Sequence, residues 1–324
     1  MTFLHIDFET RSACDLELAG LDNYAKHPTT NVWCMAYAID DGPVHLWTPG
    51  EPLPVDIATK TVAAHNAAFE LAIWNNVMVP RYGWPQLVPE NVQCTMSFAY
   101  AMALPGALEN AAAAVGLNMQ KDMRGYRVML QLAKPKSITP PWTWNDTPEK
   151  LDTLYRYCKQ DVEVERALHK RLLPLPAGER AVWLLDQRIN NRGIAVDTVA
   201  VQAAIAIVEH EQDRLDTEMR RVTGNAVATC SAVGQLGDWI KFRGVSMPGV
   251  AKADVLDALT DDTLPDDVAK ALKLRQEAAK TSTAKLGQML VGASADCRLR
   301  GMFQYHGAST GRWAARKVQL HNLP

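Results

Sequence analysis

Residues 2–10 read TFLHIDFET. Leu4, Ile6 and Phe8 alternate with His5, Asp7 and Glu9, the period-two pattern of a strand with one face on a core. Successive side chains of a strand point to opposite faces, so the apolar trio covers the core and Asp7 and Glu9 project together from the other side. Two carboxylates held side by side repel each other unless a cation sits between them. The plain alternative is a solvated strand edge, and only the rest of the chain can decide between the two.

The chain has 324 residues, which suggests about two domains. An apolar fraction of 48% and a charged fraction of 22% describe an ordinary globular protein. No uninterrupted apolar run reaches the ~18 residues of a membrane span, and the N-terminus lacks the basic start and apolar block of a signal peptide. Cys14, Cys34, Cys94, Cys158, Cys230 and Cys297 form no CxxC pair. The expectation is therefore reduced thiols in the cytoplasm and no structural zinc. The net charge of −2 hides an asymmetry: Lys270–Pro324 holds ten Lys or Arg against two acids. A basic end on an acidic body suits a polyanionic partner, and equally a solvated helix face.

Short strands and helices alternate in the first part. VWCMAYAID and VHLWTP read as strands around the turn DDGP, and TVAAHNAAFELAIWNNVM as a strand or turn running into a helix. The proline-rich KPKSITPPWTWND feeds a helix signposted by Thr147 as N-cap, Pro148 and Glu149. Its apolar stripe runs through Leu151, Leu154, Cys158, Val162, Glu165 and Leu168, and LLPLPAG ends it near residue 176. Beyond that point long amphipathic helices close at Gly193 and Gly224, and a polar helix spans about residues 265–291.

Three further features bear on Asp7 and Glu9. Tyr157 and Asp161 are four apart on the expected helix and share a face. Asn66, Phe69 and Glu70 stand at a strand-to-helix junction, where Glu70 alone would be a first-turn acid favoured by the helix dipole. The ordered set DxE, NxxFE and YxxxD resembles the DEDD family of 3′–5′ exonucleases, in the subtype with tyrosine in the third motif, over residues 1–176. That resemblance implies an α/β, RNase H-like domain with a mixed central sheet. It also implies two divalent cations, Mg²⁺ or Mn²⁺, that bracket a scissile phosphate. Asp7 would bridge both ions, Glu9 and Asp161 would complete the first site, and Glu70 would serve the second. Tyr157 would orient the attacking water, and Asn66 and Phe69 would shape the pocket for the terminal nucleotides. The family usually carries aspartate where this chain has Glu70, so the carboxylate stands further out by one methylene.

The tail STGRWAARKVQLHNLP resembles the segment of family A DNA polymerases, the bacterial DNA polymerase I type, that enters the palm. Thr310, Gly311, Arg312, Leu320, Asn322, Leu323 and Pro324 match that pattern, while Ala314, Ala315, Gln319 and His321 depart from it. INNRGIAVD and TCSAVGQLGDWI resemble the start of the same family's helical thumb, and phage members look closest. The implied layout is an exonuclease domain over 1–176, a mainly helical thumb-like domain over 177–300 and the start of a palm over 301–324. Arg312 and Asn322 are the residues expected to touch DNA, either a single-stranded 3′ end or a primer–template duplex. The polymerase metal-binding aspartates would lie beyond Pro324, so a second chain supplying palm and fingers is one implied partner. The cytoplasm of a bacterial or phage-infected cell is the implied location. A stand-alone exonuclease on RNA or DNA ends and a non-catalytic DNA-binding module are the competing expectations.

Overall fold

In a computed structural model, the described residues are 2–54, 59–117, 122–137, 139–279, 283–308 and 310–320. The chain forms two compact units, Met1–Val196 with Val291–Pro324, and Asp197–Leu290.

The first unit opens with β1 (Phe3–Arg11), α1 (Leu16–Ala19), α2 (Leu21–Lys26), β2 (Asn31–Ile39), β3 (His45–Trp47) and β4 (Thr61–Ala64). Next come α3 (Ala67–Ile73), a π-helical turn Trp74–Met78 and α4 (Val79–Tyr82). Then follow β5 (Val92–Cys94), α5 (Thr95–Ala101), α6 (Leu108–Ala114), α7 (Met123–Ala133), α8 (Pro148–Arg171) and α9 (Ala177–Arg192). The strands make one sheet in the order β3-β2-β1-β4-β5. β1 pairs antiparallel with β2 and parallel with β4, so the sheet is mixed, as expected, and β1 lies at its centre.

A central strand must bury both faces, and the alternation in β1 serves two different layers. Leu4, Ile6 and Phe8 join Trp47, Trp74 and Trp84 in the larger core. On the opposite face the strand-edge alternative fails, because α8 packs there. β2 offers it only small side chains, Cys34, Ala36 and Ala38, and these meet Cys158 and Val162. Small residues let a helix backbone approach a sheet closely, so the carboxylate face of β1 is roofed, not solvated. Thr147 precedes α8 as expected, but its side chain caps no backbone N–H. Its hydroxyl bonds Glu149, whose carboxyl is held below its ordinary value by its own backbone N–H and by Thr147.

The two compact units divide at Val196 and Leu290. LLPLPAG does end α8, yet α9 stays with the sheet: Trp183 is buried in the larger core, and Arg180 donates to the carbonyls of Pro89 and Glu90. The chain also returns to this unit. β6 (Ile194–Ala195) pairs with β7 (Arg298–Leu299), and β8 (Phe303–Gln304) with β9 (Ala314–Ala315). Asn190 exchanges two hydrogen bonds with the Phe303 backbone, and Tyr305 enters the larger core.

The second unit holds α10 (Thr198–Thr223), α11 (Val233–Phe242), α12 (Lys252–Ala258) and α13 (Asp266–Ala278), and α14 (Ala284–Gly292) begins in it. Its core comprises Leu215, Met219, Leu236, Trp239, Val268 and Leu272. The single helix expected over 265–291 is two helices, the first stopping at Ala278. None of the six cysteines is disulfide-bonded. Among the described residues, no helix is long and apolar enough to cross a membrane.

Asp186 on α9 makes stability depend on pH. Oδ2 accepts from Gln187 and Asn190, both at 3.1 Å, while Oδ1 is buried without a partner. Burial outweighs those bonds and pushes the carboxyl up to about 7. The folded state therefore holds this proton more tightly than the unfolded chain, so stability is lost as pH rises from about 4 to about 7. Asp186→Asn should flatten the melting temperature over that window relative to the parent protein. Parallel curves from scanning calorimetry would show that Asp186 does not titrate there.

Candidate active site

Three separate elements bring the sequence-singled acids together. β1 carries Asp7 and Glu9, the first turn of α3 carries Glu70, and the roof helix α8 carries Tyr157 and Asp161. Glu9 is 7% exposed, Glu70 3% and Tyr157 9%; Asp7 and Asp161 are half-buried. Burial raises Glu9 well above the ordinary carboxyl range, and Asp7, Asp161 and Glu70 raise it further. Asp7 is pushed up to about 6, mainly by burial, against a lowering hydrogen bond from Cys158. All four acids therefore share one electrostatic neighbourhood.

Glu70 shows where its additional methylene goes. Pairing between β1 and β4 stops at His5, and beyond that point the Phe8 N–H is taken by the Glu70 carboxylate. The longer side chain thus ties α3 to the open flank of the central strand. Its second oxygen, Oε2, is buried without a hydrogen-bond partner. Burial, then Asp7, raise this carboxyl well above its ordinary value. A buried carboxylate oxygen with no donor is costly unless a cation or a proton meets it.

Tyr157 hydrogen-bonds Asp161 one helical turn on, and burial with the nearby acids drives the phenol far above its ordinary value. The hydroxyl is therefore neutral and able to donate. Gly125 of α7 makes room for this ring: a Cβ there would stand 2.6 Å from Tyr157 Cδ2.

Cys158 is a member that sequence reasoning took only for core. Its Sγ lies 3.4 Å from the Asp7 carbonyl and 3.5 Å from Asp7 Oδ2. Ligand atoms of Asp7, Glu9 and Cys158 all lie within 4.8 Å of one another. Burial and the neighbouring Cys34 and acids raise this thiol well above its ordinary value, so it donates as S–H instead of binding as a thiolate. The donor set left for a cation is then carboxylate oxygen, which suits hard ions such as Mg²⁺ or Mn²⁺. His5 was also missed. Its Nδ1 lies 2.6 Å from Glu165 Oε2, both buried, so the last acid of the α8 stripe is a partner to the strand and not part of an apolar face. The signal was present: Glu165 follows Asp161 by four residues, and His5 precedes Asp7 by two.

Other expected residues lie elsewhere or at the margin. Asn66 is exposed at the start of α3 in the left-handed region and makes no capping bond. Phe69 is half-buried against Tyr24, with ring centroids 6.3 Å apart. Arg312 is exposed on the connection between β8 and β9, apart from the elements that carry the acids. Asn322, with Leu323 and Pro324, lies outside the described residues.

No protein-family model matches the chain. Over its whole length it is 36% identical, across 342 aligned residues, to a DNA polymerase of Bacillus phage SP02, and covers 51% of that protein. Among solved structures it matches, at a TM-score of 0.58 and 15% identity, the POL domain of Pol1 from M. smegmatis in complex with DNA primer-template and dNTP. That match covers all of this chain and 52% of the other and is a likeness of fold. The chain thus spans about half the length of the relatives it matches.

Proposed function

We propose that this chain, a relative of DNA polymerases of the DNA polymerase I type, is a 3′–5′ exonuclease of the proofreading kind that removes nucleotides from DNA ends. One observation carries the reading: β1, the first turn of α3 and the roof helix α8 gather Asp7, Glu9, Glu70 and Asp161, with ligand atoms of Asp7, Glu9 and Cys158 within 4.8 Å of one another. Three elements thus concentrate four acids in a roofed site, an arrangement that opposes folding unless it serves a cation.

Asp7, Glu9, Glu70 and Asp161 would hold two divalent ions, which supply charge neutralisation at the scissile phosphate and an activated water. The chain's own groups do the rest. Cys158 donates to Asp7 and fixes which of its oxygens faces the site. Glu70 is held by Phe8 N–H, so its free oxygen has a defined position. Asp161 accepts from the Tyr157 hydroxyl and orients it, leaving that oxygen to position a water beside Glu9. Phe69 and Asn66 would receive the terminal nucleotides at the head of α3. Arg312, in the palm-entry segment, would contact a DNA phosphate, and the helical unit 197–290 would be the main body of the thumb-like part.

The test uses a single-stranded DNA labelled at its 5′ end, with Mg²⁺ or Mn²⁺. The expected result is a ladder shortening from the 3′ end that stops with EDTA, and intact strand in the presence of either ion would refute the reading. Tyr157→Phe should lower kcat up to about 10²-fold with KM little changed, because it misplaces the water and not the strand. Equal rates on RNA and DNA strands would favour a general end-trimming enzyme.

A further inference from the structure

We propose that Arg11, whose guanidinium lies over the indoles of both Trp33 and Trp144, is a strand-binding residue that grips a phosphodiester of the substrate beside the carboxylate site. This rests on the exonuclease reading for the identity of the strand, but not for the presence of an anion site.

Arg11 stands two residues beyond Glu9 on β1, on the same face by strand alternation and about 7 Å further along. Trp33 meets it because β2 has one residue too many. Glu9 pairs with Cys34 but Thr10 pairs with Val32, so Trp33 is the inserted residue of a β-bulge. Bulges re-aim side chains, and here the indole turns onto the face that carries the acids. Trp33 is then locked by donating Nε1 to the Leu132 carbonyl of α7 at 3.1 Å. Trp144 comes from the proline-rich segment before α8. The guanidinium carbon lies 4.2 Å from the Trp33 ring centroid and 4.6 Å from that of Trp144.

A guanidinium packed against two indoles presents its remaining donors at its edge. Arg11 Nε is buried without a partner, and so is the neighbouring Trp144 Nε1. After burial, Asp146 is the charge that acts most on Arg11, yet among the described residues no ion pair joins the two. Arg11 is only half-buried, and among the described residues its terminal N–H groups take part in no hydrogen bond or ion pair, so the outer edge of the fork is the part that can meet an oxyanion from outside the protein. A purely structural staple would instead be expected to satisfy its donors internally. Next to a site for phosphodiester cleavage, the complementary anion is a backbone phosphate of the strand, and a planar fork recognises it bidentately.

The test compares Arg11→Gln with the parent, both carrying Asp7→Asn, by fluorescence anisotropy of a labelled single-stranded DNA in EDTA over a salt series. Arg11→Gln should bind about tenfold more weakly, and the slope of log affinity against log salt should fall by about 0.7, the share of one phosphate on a single strand. An unchanged slope overturns the proposal. In the cleavage-competent protein, Arg11→Gln should raise KM with kcat kept, and an unchanged KM counts against it. Should Arg11→Gln fail to fold, Arg11→Lys carries the test: it keeps the charge but not the fork, so the salt slope should hold while KM rises. A parent that cuts no DNA while the slope still falls would refute the exonuclease reading and leave the anion site standing.

Discussion

Asp7→Asn is expected to abolish nucleolysis, by about three orders of magnitude or more, while leaving the fold intact. Asp7 sits on the central strand, half-buried, and receives Cys158 on one oxygen. The amide keeps shape and volume but removes the charge that a shared ligand supplies. A metal-assisted displacement draws several kcal/mol from such charge, and each 1.36 kcal/mol is tenfold in rate. Stability should move the other way. Glu9 and Glu70 are both raised by Asp7, so its neutralisation relieves like-charge crowding and the melting temperature should hold or rise. Single-turnover cleavage and thermal melting on the same preparation check both halves. A variant that cuts within tenfold of the parent, or that melts several degrees lower, would contradict the role given to Asp7.

Trp74→Ala should cost about 3–5 kcal/mol of stability, the range for truncating a large buried aromatic. Trp74 is fully buried in the π-helical turn after α3, between Phe8 and Trp84, and donates Nε1 to the Pro85 carbonyl at 2.8 Å. Truncation removes both the packing and the donor, and it loosens the element that positions Glu70. Urea unfolding followed by fluorescence should show the midpoint falling with little change in slope. A loss under 1 kcal/mol would mean that the layer beneath the sheet refills the space.

What the sequence made legible divides along physical lines. Alternation in β1 was readable because period two is a local property, and it placed Asp7 and Glu9 on one face. That the face is roofed was not readable, since it depends on the small residues Cys34, Ala36 and Ala38 meeting a helix more than a hundred residues away. The motif spacing singled out Glu70 and Asp161, but not the use of Glu70 as a clasp on Phe8, which needs the β4 pairing to stop at His5. LLPLPAG correctly ends α8, yet composition could not show α9 returning to the sheet through Trp183 and Arg180. The stack on Arg11 was invisible for the same reason, because a one-residue bulge at Trp33 has no signature in composition or period.

Anomalous diffraction from a crystal soaked in Mn²⁺ tests the central claim most directly. Ion density bounded by Asp7, Glu9, Glu70 and Asp161 is the expected result, with Glu70 Oε2 among the ligands. Ordered side chains at these four positions with no manganese between them, at a concentration that saturates other carboxylate sites, would contradict it.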